Sequence, residues 1–269
     1  MKDGRRKCPI CNQRFSLAKL RKNLDLLYYF YLETSARKTA YEMHCSYKSV
    51  YAKFMQFRKA ISVYLQSQFA ELNGELEIDE SYFGGKRKGK RGRGAAGKVA
   101  VMGILERKSK IYTTVIPNAR AETLMAEIKA KTIKGSVFYT DTFKSYKSLT
   151  QVGKHLEINH QTDFAKGKTH INGIEGFWSY AKERLHKYHG VDQAHFPMYL
   201  KELEFRFNYR NENRLKLLFE LIYKKRDLGR KRPNHLMFSP FDTFMPSKIA
   251  LVRPFFPSLF SNCTQECFL

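Results

Sequence analysis

The chain has 269 residues, of which 43% are hydrophobic and 14% aromatic, so it can bury a core and is not expected to be disordered throughout. Its length suits one large domain accompanied by a smaller one. Lys and Arg number 49 against 25 Asp and Glu, which gives a formal net charge of +24. An excess of this size is typical of proteins whose partner is a polyanion, and nucleic acid is the first candidate.

An acidic membrane surface is the alternative partner. A membrane span requires roughly 18–20 consecutive apolar residues, and the sequence contains no such run. Its basic start also lacks the apolar core of a secretion signal. We therefore expect no membrane partner and a cytoplasmic location.

The five cysteines are odd in number and widely scattered, which indicates reduced thiols rather than a disulfide framework. Cys8 and Cys11 have the spacing of half a zinc ribbon, but a closed tetrahedral site needs four ligands. We therefore expect no bound zinc at Cys8 and Cys11. Residues 1–22 are interpreted as the remnant of a zinc ribbon or as a frayed end with exposed thiols.

Residues 23–68 are predicted to form a small all-α region. Apolar residues recur from Leu24 onward at the period of one buried helix face. Ser35 and Ser46 are predicted to be the N-caps of a second and a third helix. Two helices joined by a tight turn match a helix-turn-helix in outline. The candidate DNA contacts on the third helix are Lys48 and Lys53.

From residue 70 the sequence predicts alternating strands and helices. The predicted strands cover residues 75–79, 99–105, 111–116, 136–140 and 156–158, and the predicted helices cover residues 121–131, 172–188 and 197–223. Antiparallel strands followed by parallel strands and helices resemble a ribonuclease-H-like core. The predicted fold class is therefore α/β, a ribonuclease-H-like mixed sheet with flanking helices over residues 70–225, preceded by the all-α region. Repeated prolines make residues 229–269 an irregular C-terminal tail.

Three acidic residues lie where this fold would bring them together. Asp79 ends the first predicted strand, Asp141 follows the fourth, and Glu175 lies one turn into the helix that begins near residue 172. Three converging carboxylates repel one another unless cations lie between them. Mg²⁺ or Mn²⁺ suits carboxylate oxygens, and two such ions about 4 Å apart would support an in-line displacement at phosphorus.

Two further polar residues share the helix with Glu175. Lys182 follows it by almost two helical turns and Asn172 precedes it by three residues, so all three project from one side. Glu80 is expected to face away from Asp79, because strand side chains alternate. His170 is an alternative metal ligand, and His160 is a weaker one.

A Gly-punctuated basic run lies between the first two predicted strands. It cannot pack into a core and is expected to be a solvated loop that contacts DNA phosphates. Its cations are Lys86, Arg87, Lys88, Lys90, Arg91 and Arg93.

Three segments of the chain resemble one known family. The segments IDESYFGG (78–85), YTDT (139–142) and HINGIEGFWSYAK (170–182) resemble transposases of bacterial insertion sequences, the group with an Asp–Asp–Glu-or-Asn–Lys signature on a retroviral-integrase-like, ribonuclease-H-like domain. The resemblance covers about residues 70–222. It implies Asp79 and Asp141 as the first two acids, Glu175 or Asn172 as the third ligand, and Lys182 as the lysine. We favour Glu175, since a carboxylate holds a divalent ion better than an amide does.

The resemblance also implies a reaction and its partners. The expected reaction is cleavage at terminal inverted repeats followed by strand transfer from a 3′-hydroxyl. The expected partner is double-stranded DNA, both transposon ends and target, bound by a homodimer or larger assembly near the nucleoid of a bacterium. Two alternatives remain: a catalytically inactive DNA-binding protein (a decayed transposase or a repressor of its own element) and a nuclease without strand transfer.

Overall fold

The computed structural model describes residues 5–7, 14–84, 98–142, 144–158, 170–188 and 190–223. The chain divides into two units, Met1–Lys225 and Arg226–Leu269, of which the second lies outside the described residues. Cys8, Cys11, His160, the basic run at 86–93 and the predicted tail at 229–269 also lie outside them. Within the described ranges, no helix is long and apolar enough to cross a membrane.

A five-stranded mixed sheet forms the centre of the larger unit. Its strands are β3 (Glu75–Phe83), β4 (Val99–Glu106), β5 (Ile111–Ile116), β6 (Val137–Asp141) and β7 (Lys154–Ile158). They lie in the order β5-β4-β3-β6-β7. The first three strands are antiparallel, whereas β6 pairs in parallel with both β3 and β7. This is the ribonuclease-H-like arrangement that the order of the predicted elements indicated.

Helices cover both faces of the sheet. On one face, α4 (Ala121–Lys131) and a 3₁₀ helix (Lys144–Gln151) pack on the side of β3 that carries Leu76 and Ile78. On the other face lie α5 (Asn172–His186) and α6 (Phe196–Asn208), which pack against Phe83 and the inward residues of β4. The alternation of β3 therefore sends Glu77, Asp79, Ser81 and Phe83 toward α5 and α6.

The N-terminal helical region contains α1 (Leu17–Tyr31), α2 (Ala36–Glu42) and α3 (Tyr47–Ser67). The two predicted caps are confirmed, since the side chains of Ser35 and Ser46 accept hydrogen bonds from Lys38 N and Ser49 N. These helices share a hydrophobic core with α6 and with α7 (Arg214–Tyr223).

A buried ion cluster joins this helical region to α6. The Glu202 carboxylate accepts hydrogen bonds from Arg58 Nε at 2.7 Å and from Arg206 Nε at 2.8 Å. The Arg58 guanidinium lies 3.8 Å from the ring centroid of Tyr199, and Arg206 also donates to the Phe30 carbonyl at 2.7 Å. The cluster therefore links α1, α3 and α6 through buried charges.

Several boundaries differ from the prediction. Helix α1 begins at Leu17 rather than near residue 24, because Ser16 provides an N-cap. The helical stretch predicted at 197–223 is two helices, since the side chain of Asn213 accepts from Lys216 N and begins α7 anew. A short hairpin, β1 (Arg5–Lys7) with β2 (Arg14–Ser16), and the 3₁₀ helix were not predicted, because none of these segments contains more than two apolar residues.

Candidate active site

The first two acids of the candidate site lie where the parallel pairing of β3 with β6 ends. Asp141 is the last residue of β6, whereas β3, which was predicted to end at Asp79, continues to Phe83. β3 and β6 pair in parallel as far as Ile78 and Thr140, and Asp79 and Asp141 are the next residue on each strand. Residues side by side on parallel strands project from the same face, so both carboxylates lie on the α5 side of the sheet. The Asp141 carboxylate is oriented by the Thr142 amide, which donates to Oδ1 at 2.6 Å.

A cavity of about 200 Å³ opens at this end of the sheet. It brings together three of the predicted site residues, the two aspartates and Lys182. The cavity is lined by Asp79, Glu80, Ser81, Tyr82, Asp141, Tyr146 and Lys182. It thus combines carboxylate oxygens with one ammonium group, a composition suited to a cation and a phosphodiester.

The third acid acts on Asp79 through its charge. Burial raises the pKa of Asp79 to about 6, and the negative charges of Glu175 and Asp141 add to this rise. The Glu80 backbone amide and the Trp178 indole oppose it. The indole Nε1 is buried and makes no full hydrogen bond to any described residue. The indole therefore lowers the pKa of Asp79 only by lying close to its carboxylate.

The two candidates for the third position occupy different places on α5. Glu175 lies in the first turn and is exposed to solvent, and its charge contributes to the electrostatics of Asp79. Asn172 is the first residue of the helix and is also exposed. Neither Glu175 nor Asn172 is among the described residues that line the cavity.

The donor set fits a hard divalent cation. Two aspartates share one cavity, and a third carboxylate is close enough to disfavour ionisation of the first. A bound cation would remove this repulsion, and oxygen ligands favour Mg²⁺ or Mn²⁺ over zinc. As the side chains stand, no three His, Cys, Asp or Glu residues within the described ranges converge on a single point suited to an ion.

Two alternative candidates have other neighbours. The side chain of Glu80 interacts with Tyr146 of the 3₁₀ helix, and burial together with the charge of Glu80 raises the pKa of that tyrosine. Glu80 therefore lies on the α4 side, as the alternation of the strand predicts. The Nδ1 atom of His170 is 3.9 Å from Glu77 Oε1, so this histidine lies beside a different carboxylate.

Two residues around the site were not singled out in the sequence. Glu77 is 2% exposed and lies on the same face of β3 as Asp79. Trp178 borders the first acid. The Glu-x-Asp spacing at 77–79 was a usable signal for Glu77, because it places two carboxylates on one strand face.

The predicted DNA-contacting lysines of α3 differ in their surroundings. Lys48 is exposed near the start of the helix. Lys53 is half-buried, and its Nζ lies 5.5 Å from the ring centroid of Phe57. Exposed aromatic rings accompany Lys48, namely Tyr41, which is 80% exposed, and Tyr47, which is 51% exposed.

Comparisons with known proteins identify the family of the chain. The ISXO2-like transposase domain family matches residues 71–208. An uncharacterized transposase-like protein of Haemophilus influenzae is 47% identical over 102 residues, covering 38% of this chain and 83% of the relative. An uncharacterized protein in transposable element ISH50 of Halobacterium salinarum is 26% identical over 200 residues, covering 66% of each chain.

Among solved structures, the catalytic core domain of BIV integrase is similar at 11% identity with a TM-score of 0.35, over 58% of this chain and 99% of that one. The family match extends over half of the chain, and the matched range includes Asp79, Asp141, Glu175 and Lys182. The chain belongs to the ISXO2-like transposase domain family of insertion sequences.

Proposed function

We propose that this transposase is an active DNA-cleaving and DNA-joining enzyme in which Asp79, Asp141 and Glu175 hold two divalent cations, Mg²⁺ or Mn²⁺. The observation that carries the proposal is the cavity beside the point where the parallel pairing of β3 and β6 ends. Two aspartates and Lys182 line it, and the charge of Glu175 reaches Asp79. When bound, such ions activate an attacking oxygen and neutralise the leaving oxygen in a displacement at phosphorus.

The proposed reaction has two displacements of the same kind. In the first, a water oxygen attacks a phosphodiester at the transposon end, and the bond to the 3′-oxygen breaks to leave a 3′-hydroxyl. In the second, that 3′-hydroxyl oxygen attacks a phosphodiester of the target strand and displaces its 3′-oxygen. Lys182, exposed on α5 and in the cavity wall, would contact the phosphate next to the scissile bond.

DNA binding is supported by charge and by the helical region. The formal charge of +24 favours a phosphate backbone as partner. We propose that α2 and α3 act as a helix-turn-helix for the terminal repeats, with Lys48 as the exposed cation and Lys53 as a second contact. The basic run at 86–93 follows β3, the strand that carries Asp79, and is proposed to contact the backbone near the cut. Pairing two transposon ends requires a dimer or larger assembly on DNA.

Purified full-length protein with the end sequences of its own element provides the test. Cleavage that leaves a 3′-hydroxyl, followed by joining to target DNA, is expected in Mg²⁺ or Mn²⁺ and absent in EDTA. Specific binding of the ends without cleavage in either metal would instead favour the inactive DNA-binding protein. Cleavage without joining would favour a nuclease.

A further inference from the structure

Glu77 is a buried carboxylate on the strand that carries the first acid of the site. It precedes Asp79 by two residues, so both side chains project toward α5. Only 2% of Glu77 is exposed, although an ionisable side chain is costly to bury without partners. The hydrogen-bond partners of Glu77 therefore indicate the role of this buried carboxylate.

One oxygen of Glu77 binds the first turn of α5. The Ile174 amide donates to Glu77 Oε2 at 2.9 Å, and Ile174 directly precedes Glu175. Helix α5 has Ile171 at its N-cap position and no side-chain cap from its own sequence. A carboxylate from β3 thus satisfies a free amide at the positive end of the helix.

The neighbouring sequence makes room for this contact. A Cβ atom on Gly173 would lie 2.8 Å from Glu77 Oε2 and 2.6 Å from Leu105 Cδ2. Any larger residue would therefore separate the carboxylate from the helix.

The other oxygen of Glu77 is fixed by Arg107. Arg107 Nε donates to Glu77 Oε1 at 3.0 Å, and the same guanidinium donates to the carbonyl of His170, just before α5. The guanidinium also lies 3.7 Å from the ring centroid of Tyr139 on β6. The carboxylate is therefore held from both sides, which fixes the turn that it binds.

We propose that Glu77 is a positioning residue that holds the first turn of α5, and with it Glu175, against the strand that carries Asp79. The inference rests on the proposed function, because it assigns Glu77 a part in assembling the same metal site. The Glu77 side chain thus sets the position of Glu175 relative to Asp79, although almost a hundred residues of sequence separate these two acids. An error of about 1 Å in such a site costs about 10²-fold in rate.

The chain offers an optical probe of this helix. Trp178 is its single tryptophan, lies on α5 one turn after Glu175, and is 4% exposed. Its emission and its quenching by acrylamide therefore report whether α5 remains docked, with or without activity. Mn²⁺ alone, followed by electron paramagnetic resonance, reports whether the carboxylates still assemble.

The experiment compares Glu77→Ala and Glu77→Gln with Glu75→Gln as the matched control. Glu75 lies on the same strand face and accepts from Arg107 at 3.2 Å, but its side chain is 45% exposed. Its partners, Arg107 and Tyr139, do not lie on α5. The glutamine at 77 keeps an oxygen for the Ile174 amide.

We expect Glu77→Ala to weaken Mn²⁺ binding by about 10-fold to 100-fold, as is typical when a group that orients a metal ligand is lost. Trp178 emission should shift to the red, and kcat should fall about 10²-fold while KM for end DNA stays near wild type. Glu77→Gln should retain most of the Mn²⁺ affinity and most of the kcat of wild type. Glu75→Gln should match wild type in both.

A purely structural role would lower the urea midpoint of Glu77→Ala and leave Mn²⁺ affinity and kcat of the folded protein unchanged, which would overturn the proposal. If the alanine variant does not fold, the glutamine variant provides the test. The proposal would be overturned if Glu77→Gln bound Mn²⁺ with wild-type affinity but lost tenfold or more in kcat. If wild type cleaves no DNA, the proposed function fails. Trp178 emission and Mn²⁺ binding still test Glu77, and unchanged values in the alanine variant would refute its role.

Discussion

The indole of Trp178 on α5 lies directly against Gly103 on β4. A Cβ atom at position 103 would stand 2.8 Å from Trp178 Cζ2 and 3.1 Å from Ile174 Cδ1. Gly103 is also the residue opposite Asp79 in the β3–β4 pairing. The close approach of helix and sheet at this point therefore sets the distance between α5 and the first acid.

Gly103→Ala is expected to push α5 away from the sheet and to destabilise the protein by about 1–3 kcal/mol, the usual cost of overpacking a core. Urea denaturation with Trp178 fluorescence measures this. The matched control is Gly176→Ala on α5, where a Cβ would meet nothing within 4 Å. That change should be neutral or stabilise the helix by about 0.5–1 kcal/mol. Equal midpoints for Gly103→Ala and wild type would contradict the tight packing.

The raised pKa of Asp79 predicts how metal-free stability depends on pH. Because the folded-state pKa is about 6 against an ordinary 3.8, the folded protein binds more protons than the unfolded chain between these values. The contribution of Asp79 to stability therefore falls as pH rises through this window, by up to about 3 kcal/mol. Asp79→Asn removes that cost and should stabilise the metal-free protein above pH 6.

Urea denaturation in EDTA at about pH 5 and about pH 7.5 checks this expectation. The gain from Asp79→Asn should be clear at the higher pH and small at the lower one. Glu183→Gln, which removes an exposed carboxylate from the same helix as Glu175, should show no such difference. A loss of stability in Asp79→Asn at the higher pH would show that the carboxylate is not destabilised by burial and by its acidic neighbours.

The ion cluster around Glu202 is expected to be necessary for joining the helical region to the sheet. Burial alone would raise the pKa of Glu202, but Arg58 and Arg206 together hold it below its ordinary value. Glu202→Ala would leave two buried guanidinium groups without their carboxylate and should cost about 3–5 kcal/mol. The urea midpoint measures the loss, with Glu212→Gln in an exposed loop as control. A midpoint within error of wild type would refute this role.

The choice between Glu175 and Asn172 as third ligand is open to a direct comparison. Glu175→Gln should abolish metal-dependent cleavage, because it removes a carboxylate whose charge reaches Asp79. Asn172→Ala should retain cleavage to within about tenfold. Single-turnover rates on end DNA at saturating Mn²⁺ measure both. The reverse pattern would assign the amide, not the carboxylate, to the metal.

The elements of the core could be predicted because their signals are local. β5 and α4 have the bounds that alternation and helical period gave, and Ser35 and Ser46 marked two helix starts. The two aspartates could be proposed because each closes a predicted strand in an order that implies parallel neighbours, although β3 continues past Asp79 to Phe83. The break before α7 could not be predicted, because it depends on a single capping side chain, that of Asn213.

The surroundings of the acids required the structure. Glu77 and Ile174 are separated by 97 residues, and no spacing rule links a buried strand carboxylate to the amide that it caps. The contact of Trp178 with Gly103 likewise depends on how closely α5 packs on β4. Such contacts depend on tertiary packing, whereas the strands that carry Asp79 and Asp141 follow from local sequence.

The most direct test of the central claim is the rate of end-DNA cleavage in Mg²⁺ and in Mn²⁺ by wild type, Asp79→Asn and Asp141→Asn, with Glu183→Gln as control. We predict that wild type and the control cleave and join DNA in either metal. Each aspartate variant should fall to the rate measured in EDTA while still binding the ends with wild-type affinity. Cleavage by either aspartate variant at the wild-type rate would contradict the proposed metal site at Asp79 and Asp141.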